Sequence, residues 1–347
     1  MSRVYLDYNA TMPLRGEARD AMIAAMDVVG NPSSVHAEGR AAKGVIERAR
    51  AQISEAFGAL GADIVFTSSA TEAAALACAG RDLSSGAIEH DAVGAWTSGV
   101  LDVDAQGQVQ VPDPGVTALQ RANSETGVLQ PVPEGLALCD MTQSFGKLGE
   151  AFSWSGAQMA LISAHKLGGP KGIGALVLRQ GLEVATQIKG GGQEMGRRSG
   201  TENVIGIAGF GAAAAAAQRD LEAGVWDRVK KLRKILEKAI EAHSKQTILV
   251  GDGAERLPNT LCFATPGWKG ETQVMAMDLA GFAISAGSAC SSGKVKASRV
   301  LQAMGFDDET AASAIRVSLG PDTTEEEVLR FAEAWCRAEQ KFRVRAA

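Results

Sequence analysis

Four short apolar runs in this chain stop at residues equipped for chemistry. Met159–Ile162 ends in Ser163, followed by His165 and Lys166 and then by glycines around Pro170 and Lys171. Leu136–Cys139 ends in Asp140, with Gln143 three residues further on. Ala87–Ile88 ends in Glu89 and His90, and Ile64–Phe66 leads through Thr67, Ser68, Ser69, Ala70 and Thr71 into an alanine-rich helix. Open α/β sheets bind their ligands beyond the carboxyl ends of the strands, so these groups are candidates for one site. Each alone has an ordinary reading. A lysine beside glycines is a surface turn, an aspartate caps the next turn, a histidine sits satisfied in a core, and Ser68 to Thr71 are N-cap residues.

Together they describe what pyridoxal phosphate needs. Its aldehyde takes a lysine, its pyridine nitrogen takes a carboxylate that keeps it protonated, and its phosphate takes a helix N-terminus with free N–H groups.

The elements that must position these residues follow from periodicity. Helical spacing is clear over Ala18–Val29, over Glu38–Phe57 and over one long segment from Val204 to Ala242, which contains the six alanines Ala212 to Ala217. Ile64–Thr67, Leu136–Cys139, Met159–Ser163 and Ile173–Leu178 suit strands covered on both faces, as in a parallel or mixed sheet flanked by helices. Beyond about residue 245, Thr247–Val250, Thr260–Phe263 and Ala283–Ser285 are candidate strands, with helices at Glu271–Ala280 and Glu325–Phe342. The expected class is α/β, with a large domain over 14–245 and a smaller α+β domain over 246–347, completed by residues 1–13.

Composition narrows the function. The chain has 347 residues, 46% of them hydrophobic, enough for a sizeable core. A net charge of −5 with no long basic run argues against nucleic acid. No apolar segment approaches the roughly 20 residues that span a bilayer, and the N-terminus lacks the regions of a signal peptide, so a cytoplasmic address is expected. The five cysteines, Cys78, Cys139, Cys262, Cys290 and Cys336, are scattered and form no C-x-x-C pair. Neither a disulfide framework nor a cysteine-built metal site is expected, and the four histidines have no ligand spacing.

Ten motifs then appear in one order: YLDYNATMP, GNPSSVHAEGR, VFTSSATE, IEHDAV, DMTQSFGK, SAHKLGGPKGIGAL, GGGQEMGRRSGTEN, LPNT, SAGSACSSG and IRVSLG. From about residue 5 to 330 the chain resembles the cysteine desulfurases of the class V aminotransferase-like, fold-type I pyridoxal-phosphate enzymes. The resemblance implies a Schiff-base lysine at Lys166, a carboxylate on the pyridine nitrogen at Asp140, an amide near the ring's phenolic oxygen at Gln143 and an imidazole stacked on the ring at His90. It implies phosphate ligands at Ala70, Thr71, Ser163 and His165, and a threonine, Thr201, that reaches the phosphate of a neighbouring copy in a homodimer. Arg316 would clamp the substrate carboxylate, close to Asn31, because a guanidinium fork fits that anion.

Cys290 would be the nucleophile. Its surroundings, Ser288-Ala289-Cys290-Ser291-Ser292-Gly293-Lys294, offer little to pack, so its thiol is expected to be exposed rather than a small core hydrophobe. The implied reaction turns L-cysteine into L-alanine, leaves the sulfur as a persulfide on Cys290 and passes it to an acceptor protein such as a scaffold or carrier. Iron–sulfur cluster assembly is one such destination.

Three departures from the pattern stand out. Ser124 in Asn123-Ser124-Glu125 replaces a usual second asparagine, which shortens or removes a contact to the ring oxygen. The helix after Thr71 continues Glu72-Ala73-Ala74-Ala75 in place of a usual Ser/Asn-Asn pair. Segments near residues 80 to 88 and 112 to 122 are short, as if a helix or an edge strand were missing. Two alternatives stay open on this reading: another lyase or aminotransferase with the same cofactor, acting on selenocysteine or cystine among others, and a degenerate non-catalytic paralogue.

Overall fold

The computed structural model describes residues 3–287 and 297–346. Cys290 lies outside the described residues. The chain begins with β1 (Val4–Tyr5), α1 (Gly16–Met26), α2 (Ala37–Ala56), β2 (Asp63–Thr67), α3 (Ala70–Cys78) and β3 (Ser84–Gly86). It continues through α4 (Asp91–Gly94), β4 (Gly99–Leu101), β5 (Thr117–Gln120), β6 (Leu138–Asp140), β7 (Met159–Ser163), β8 (Gly174–Leu178), α5 (Val204–Glu222) and α6 (Val225–His243). The last third holds β9 (Ile248–Leu249), β10 (Thr260–Ala264), α7 (Gly270–Leu279), β11 (Phe282–Ala283) and β12 (Ser285–Ala286). It closes with α8 (Arg299–Ala303), α9 (Asp308–Ala312), β13 (Ala314–Ser318) and α10 (Glu325–Ala346).

Seven strands form the main sheet in the order β2-β8-β7-β6-β5-β3-β4. Every pair is parallel except the two made by β8, so the sheet is mixed and mostly parallel. Register sets the geography of the site. Gly174 opens β8 opposite both Thr67 and Ser163, the last residues of β2 and β7, while Asp140 ends β6 beside Leu161 and opposite Gln120. The carboxyl ends of β2, β7, β6 and β5 therefore share one edge. Helices α1, α2 and α5 cover one face, and small residues let them approach closely: a Cβ on Gly211 would come within 2.6 Å of Ala49 Cα.

The expected long helix over Val204–Ala242 is two helices. Gly224 separates α5 from α6 in the left-handed region, with φ of +69°, a conformation that glycine reaches without Cβ strain. The expected strand at Ala87–Ile88 also moves: the sheet takes Ser84–Gly86 instead, and a turn closed by Glu89 N–H on Gly86 O follows. Between β4 and β5 the chain forms only an isolated bridge and a short 3-10 turn, with no α-helix among the described residues.

The four-stranded antiparallel sheet β12-β13-β10-β9 and the parallel pair β1-β11 make the second layer system. Its apolar cluster includes Leu6, Leu261, Phe263, Val317, Phe331 and Trp335, together with the buried face of α6 from Trp226 to Ile240. A parallel bridge from Asp7 to Ser318 ties the start of the chain to β13. No helix of the described residues is long and apolar enough to cross a membrane.

Candidate active site

Lys166 follows β7 within the single 3-10 turn Ala164–Lys166. Its Nζ donates to the backbone carbonyls of Asn9, at 2.6 Å, and Ala10, at 2.8 Å. The same Asn9 carbonyl accepts from Gln143 Nε2 at 2.9 Å. Asn9 is buried, and its side chain donates to the Ser124 carbonyl at 3.2 Å. That carbonyl also accepts from Arg316 Nη1 at 2.9 Å, while Arg316 Nη2 donates to Asp7 Oδ1 at 2.7 Å. Asp7 Oδ2 in turn accepts from the Ser285 hydroxyl at 2.9 Å. A continuous hydrogen-bonded path thus runs from Lys166 and Gln143 through Asn9 and Ser124 to Arg316 and Asp7. Ser124 enters it by its backbone.

The neighbouring strand ends bring in the other candidates. Asp140 is partly exposed at the end of β6, its Oδ1 accepting the Thr142 N–H at 2.9 Å. His90 caps α4, with Nδ1 accepting the Ala92 N–H at 3.1 Å, and is exposed. Beside it Glu89 is buried and accepts the Gln120 N–H at 2.7 Å; burial, then the charge of Asp140, raises its carboxyl well above the usual range. Asn123 donates to Ile88 O at 3.1 Å, which holds the Asn123–Glu125 loop against the His90 turn.

The phosphate candidates lie at the start of α3 and at the end of β7. Ser69 caps the helix through the Glu72 N–H, and the Ala70 and Thr71 N–H groups have no partner among the described residues. Gly174 lets β8 lie against this helix start, since a Cβ there would come within 2.8 Å of Ala70 N. Ser163 is buried at the paired position across β8. His165 lies 3.2 Å from Thr11 Oγ1, and its imidazole is pushed down to about 4 by burial, then by the cations Lys166, Lys171 and Lys147. A helix start with unused N–H groups, a hydroxyl and a neutral imidazole in a field of three lysines is a donor set short of negative charge. It fits a phosphate, and with Lys166 and Asp140 alongside, the residues fit pyridoxal phosphate.

Thr201 and Asn31 are not tied to this path. Thr201 is exposed and lines a cavity of about 230 Å³ with Thr67, Ser68 and Arg198. Asn31 is exposed as well, its side chain accepting the Ser33 N–H at 2.9 Å. Several residues of the site carried no expectation: Asp7, Asn9, Glu125 and Lys147. Asp7 and Lys147 do stand out as charges among apolar or glycine neighbours, in Leu6-Asp7-Tyr8 and Phe145-Gly146-Lys147, but only the fold reveals their partners. Glu125 accepts from the Ser298 hydroxyl at 2.6 Å, and burial raises its carboxyl to about 7. The four cysteines among the described residues are free; Cys78, Cys139 and Cys262 are buried and Cys336 is partly so, and burial raises all four thiols.

The sequence matches the family Aminotransferase class-V over residues 4–93 and 88–331. A cysteine desulfurase from Cereibacter sphaeroides is 38% identical over 371 aligned positions, taking in 96% of this chain and 95% of that protein. The X-ray structure of a NifS-like protein from Rickettsia africae ESF-5 superposes with a TM-score of 0.89 at 33% identity, covering 97% of this chain and 99% of that one. A structure of SspA in complex with cysteine gives a TM-score of 0.73 at 27% identity, covering 92% and 100%.

Proposed function

The chain belongs to the class-V aminotransferase family, and on that premise we propose that it is a pyridoxal-phosphate-dependent cysteine desulfurase. One observation carries the reading. The amine that would hold the cofactor and the guanidinium that would hold a substrate carboxylate are joined through Asn9 and Ser124 by the bonds from Lys166 to Asn9 O, from Asn9 Nδ2 to Ser124 O, and from Arg316 to Ser124 O.

Pyridoxal phosphate, when bound, would supply an electron sink that makes a substrate α-proton more acidic. The residues supply the rest. Asp140 holds the proton on the pyridine nitrogen, and Gln143 addresses the ring oxygen. Ala70, Thr71, Ser163 and His165 bind the phosphate at the start of α3, and Thr201 reaches the phosphate of the other copy in a homodimer. Arg316, with Asn31 near the same group, binds the cysteine carboxylate. Lys166 Nζ takes the α-proton, and His90 moves protons to and from sulfur. The Cys290 thiolate attacks the substrate sulfur: the carbon–sulfur bond breaks, a sulfur–sulfur bond forms, a proton replaces sulfur on the β-carbon, and the α-proton returns from Lys166 to give alanine. The persulfide then passes to an acceptor protein, in iron–sulfur cluster assembly or other sulfur trafficking, in the cytoplasm.

Alanine and sulfide released from L-cysteine in the presence of a thiol reductant test this reading. Equal yields that vanish in Cys290→Ala support it. Full activity in that variant, or a keto-acid product, assigns the protein to another reaction with the same cofactor.

A further inference from the structure

Lys147 is a lysine with no place in the chemistry above, yet it is 3% exposed. It follows β6 and the Gln143 turn, four residues beyond Gln143, and its Nζ donates to Gln143 Oε1 at 2.9 Å. Among the described residues no carboxylate pairs with it. A buried amine without a counter-charge is costly, and an apolar side chain of equal length would pack there at less cost. Its retention calls for a return.

Gln143 supplies one. A primary amide has an acceptor end and a donor end of nearly the same shape, so its partners decide which way it faces. Here the carbonyl of Asn9 accepts from Nε2 at 2.9 Å while Lys147 donates to Oε1. We propose that Lys147 is a positioning residue, which acts through Gln143 by holding that amide with its oxygen turned away and its two N–H groups turned toward Asn9 and the ring oxygen. This rests on the assignment of the site to pyridoxal phosphate.

One N–H of Gln143 is used on Asn9, and the second is then available as a donor to the phenolic oxygen. The positive charge matters too. Burial, then Lys166 and Arg316, push the Lys147 amine down to about 7, so it lies within the field of the two groups that would meet cofactor and substrate.

Removal of Lys147 has a spectroscopic consequence. A donor to the ring oxygen and a cation nearby both favour loss of a proton from the bound ring system, so their loss moves its absorbance titration upward. Lys147→Met keeps the unbranched side chain out to Cε and removes donor and charge. In the holoenzyme its visible-absorbance midpoint is expected to rise by about one pH unit, with cofactor dissociation constants up to about tenfold higher. In a Gln143→Leu background the shift should shrink by more than half, whereas a structural role alone would leave it the same. Thermal unfolding of the same samples identifies a variant that fails to fold, and Lys147→Gln then carries the comparison, with a smaller shift of the same sign. An unmoved midpoint, or a shift that is equal with and without the Gln143 amide, overturns the proposal. A wild-type protein that takes up no pyridoxal phosphate and shows no visible band refutes the assignment of the site, and this inference with it.

Discussion

Arg316 and Asp7, 309 positions apart in the sequence, face each other as a partly buried ion pair with Nη2 2.7 Å from Oδ1. Arg316 lies in the middle of β13, and its remaining amino group is held by the Ser124 carbonyl. The guanidinium is therefore oriented before any substrate arrives, and its buried Nε has no partner among the described residues. Such preorganisation lowers the ordering cost of binding a carboxylate.

Asp7→Asn keeps the shape and removes the charge. The Michaelis constant for cysteine is expected to rise roughly tenfold with a smaller change in turnover, and stability should fall by about 1–3 kcal/mol. Arg316→Ala should weaken substrate binding by roughly 2–5 kcal/mol. Steady-state kinetics and thermal unfolding check both; an unchanged Michaelis constant in either variant contradicts the role given to the pair.

Lys166→Ala removes the amine but leaves the phosphate seat at α3 intact. Turnover should disappear while pyridoxal phosphate still binds noncovalently, measured by equilibrium dialysis and by the loss of the wild-type visible band. Normal turnover in this variant contradicts the assignment.

Glu125 makes stability depend on pH. Its carboxyl is raised by burial from the ordinary 4.5 to about 7, so the folded state holds that proton more tightly than the unfolded chain. The stabilisation is complete below about pH 4.5 and is lost as pH rises through about 7. Glu125→Gln cannot ionise and can still accept from Ser298. At pH 8 it should be more stable than the wild type by at most about 3 kcal/mol, with no difference near pH 4.5. Denaturant unfolding at both values checks this, and equal stabilities at pH 8 would contradict it.

Gly224→Ala tests the break between α5 and α6. An added Cβ would meet nothing closer than Asp227 Oδ2 at 3.7 Å, so the cost reports backbone conformation alone. A loss of about 1–2 kcal/mol in chemical unfolding is expected; no loss would mean that the two helices join without the left-handed turn.

Much of this arrangement was legible from local pattern. Met159–Ser163 is an unbroken apolar run with polar residues at its end, and it forms a strand over those same residues because both faces of the central sheet are covered. Lys166 and Asp140 were readable for the same reason: each is a polar group placed just where a buried run stops. β5 carries no such local signal, because Thr117–Gln120 is only four residues, two of them polar, and those two are buried by tertiary contact alone. The Gly224 break was hidden by helical periodicity that continues on both sides of it. Asp7 and Lys147 became meaningful only with their partners, one across 309 positions and one across a turn whose shape the sequence does not announce.

Four cysteines are wholly or partly buried with raised thiols, which leaves Cys290 as the one proposed to receive sulfur. The most direct test is a single turnover: cofactor-loaded protein, one equivalent of L-cysteine, no reductant, then peptide mass analysis together with alanine determination. The account predicts alanine equal in amount to one added sulfur atom on the peptide that contains Cys290. Alanine formed with sulfur on another cysteine, or with none on the protein, would contradict it.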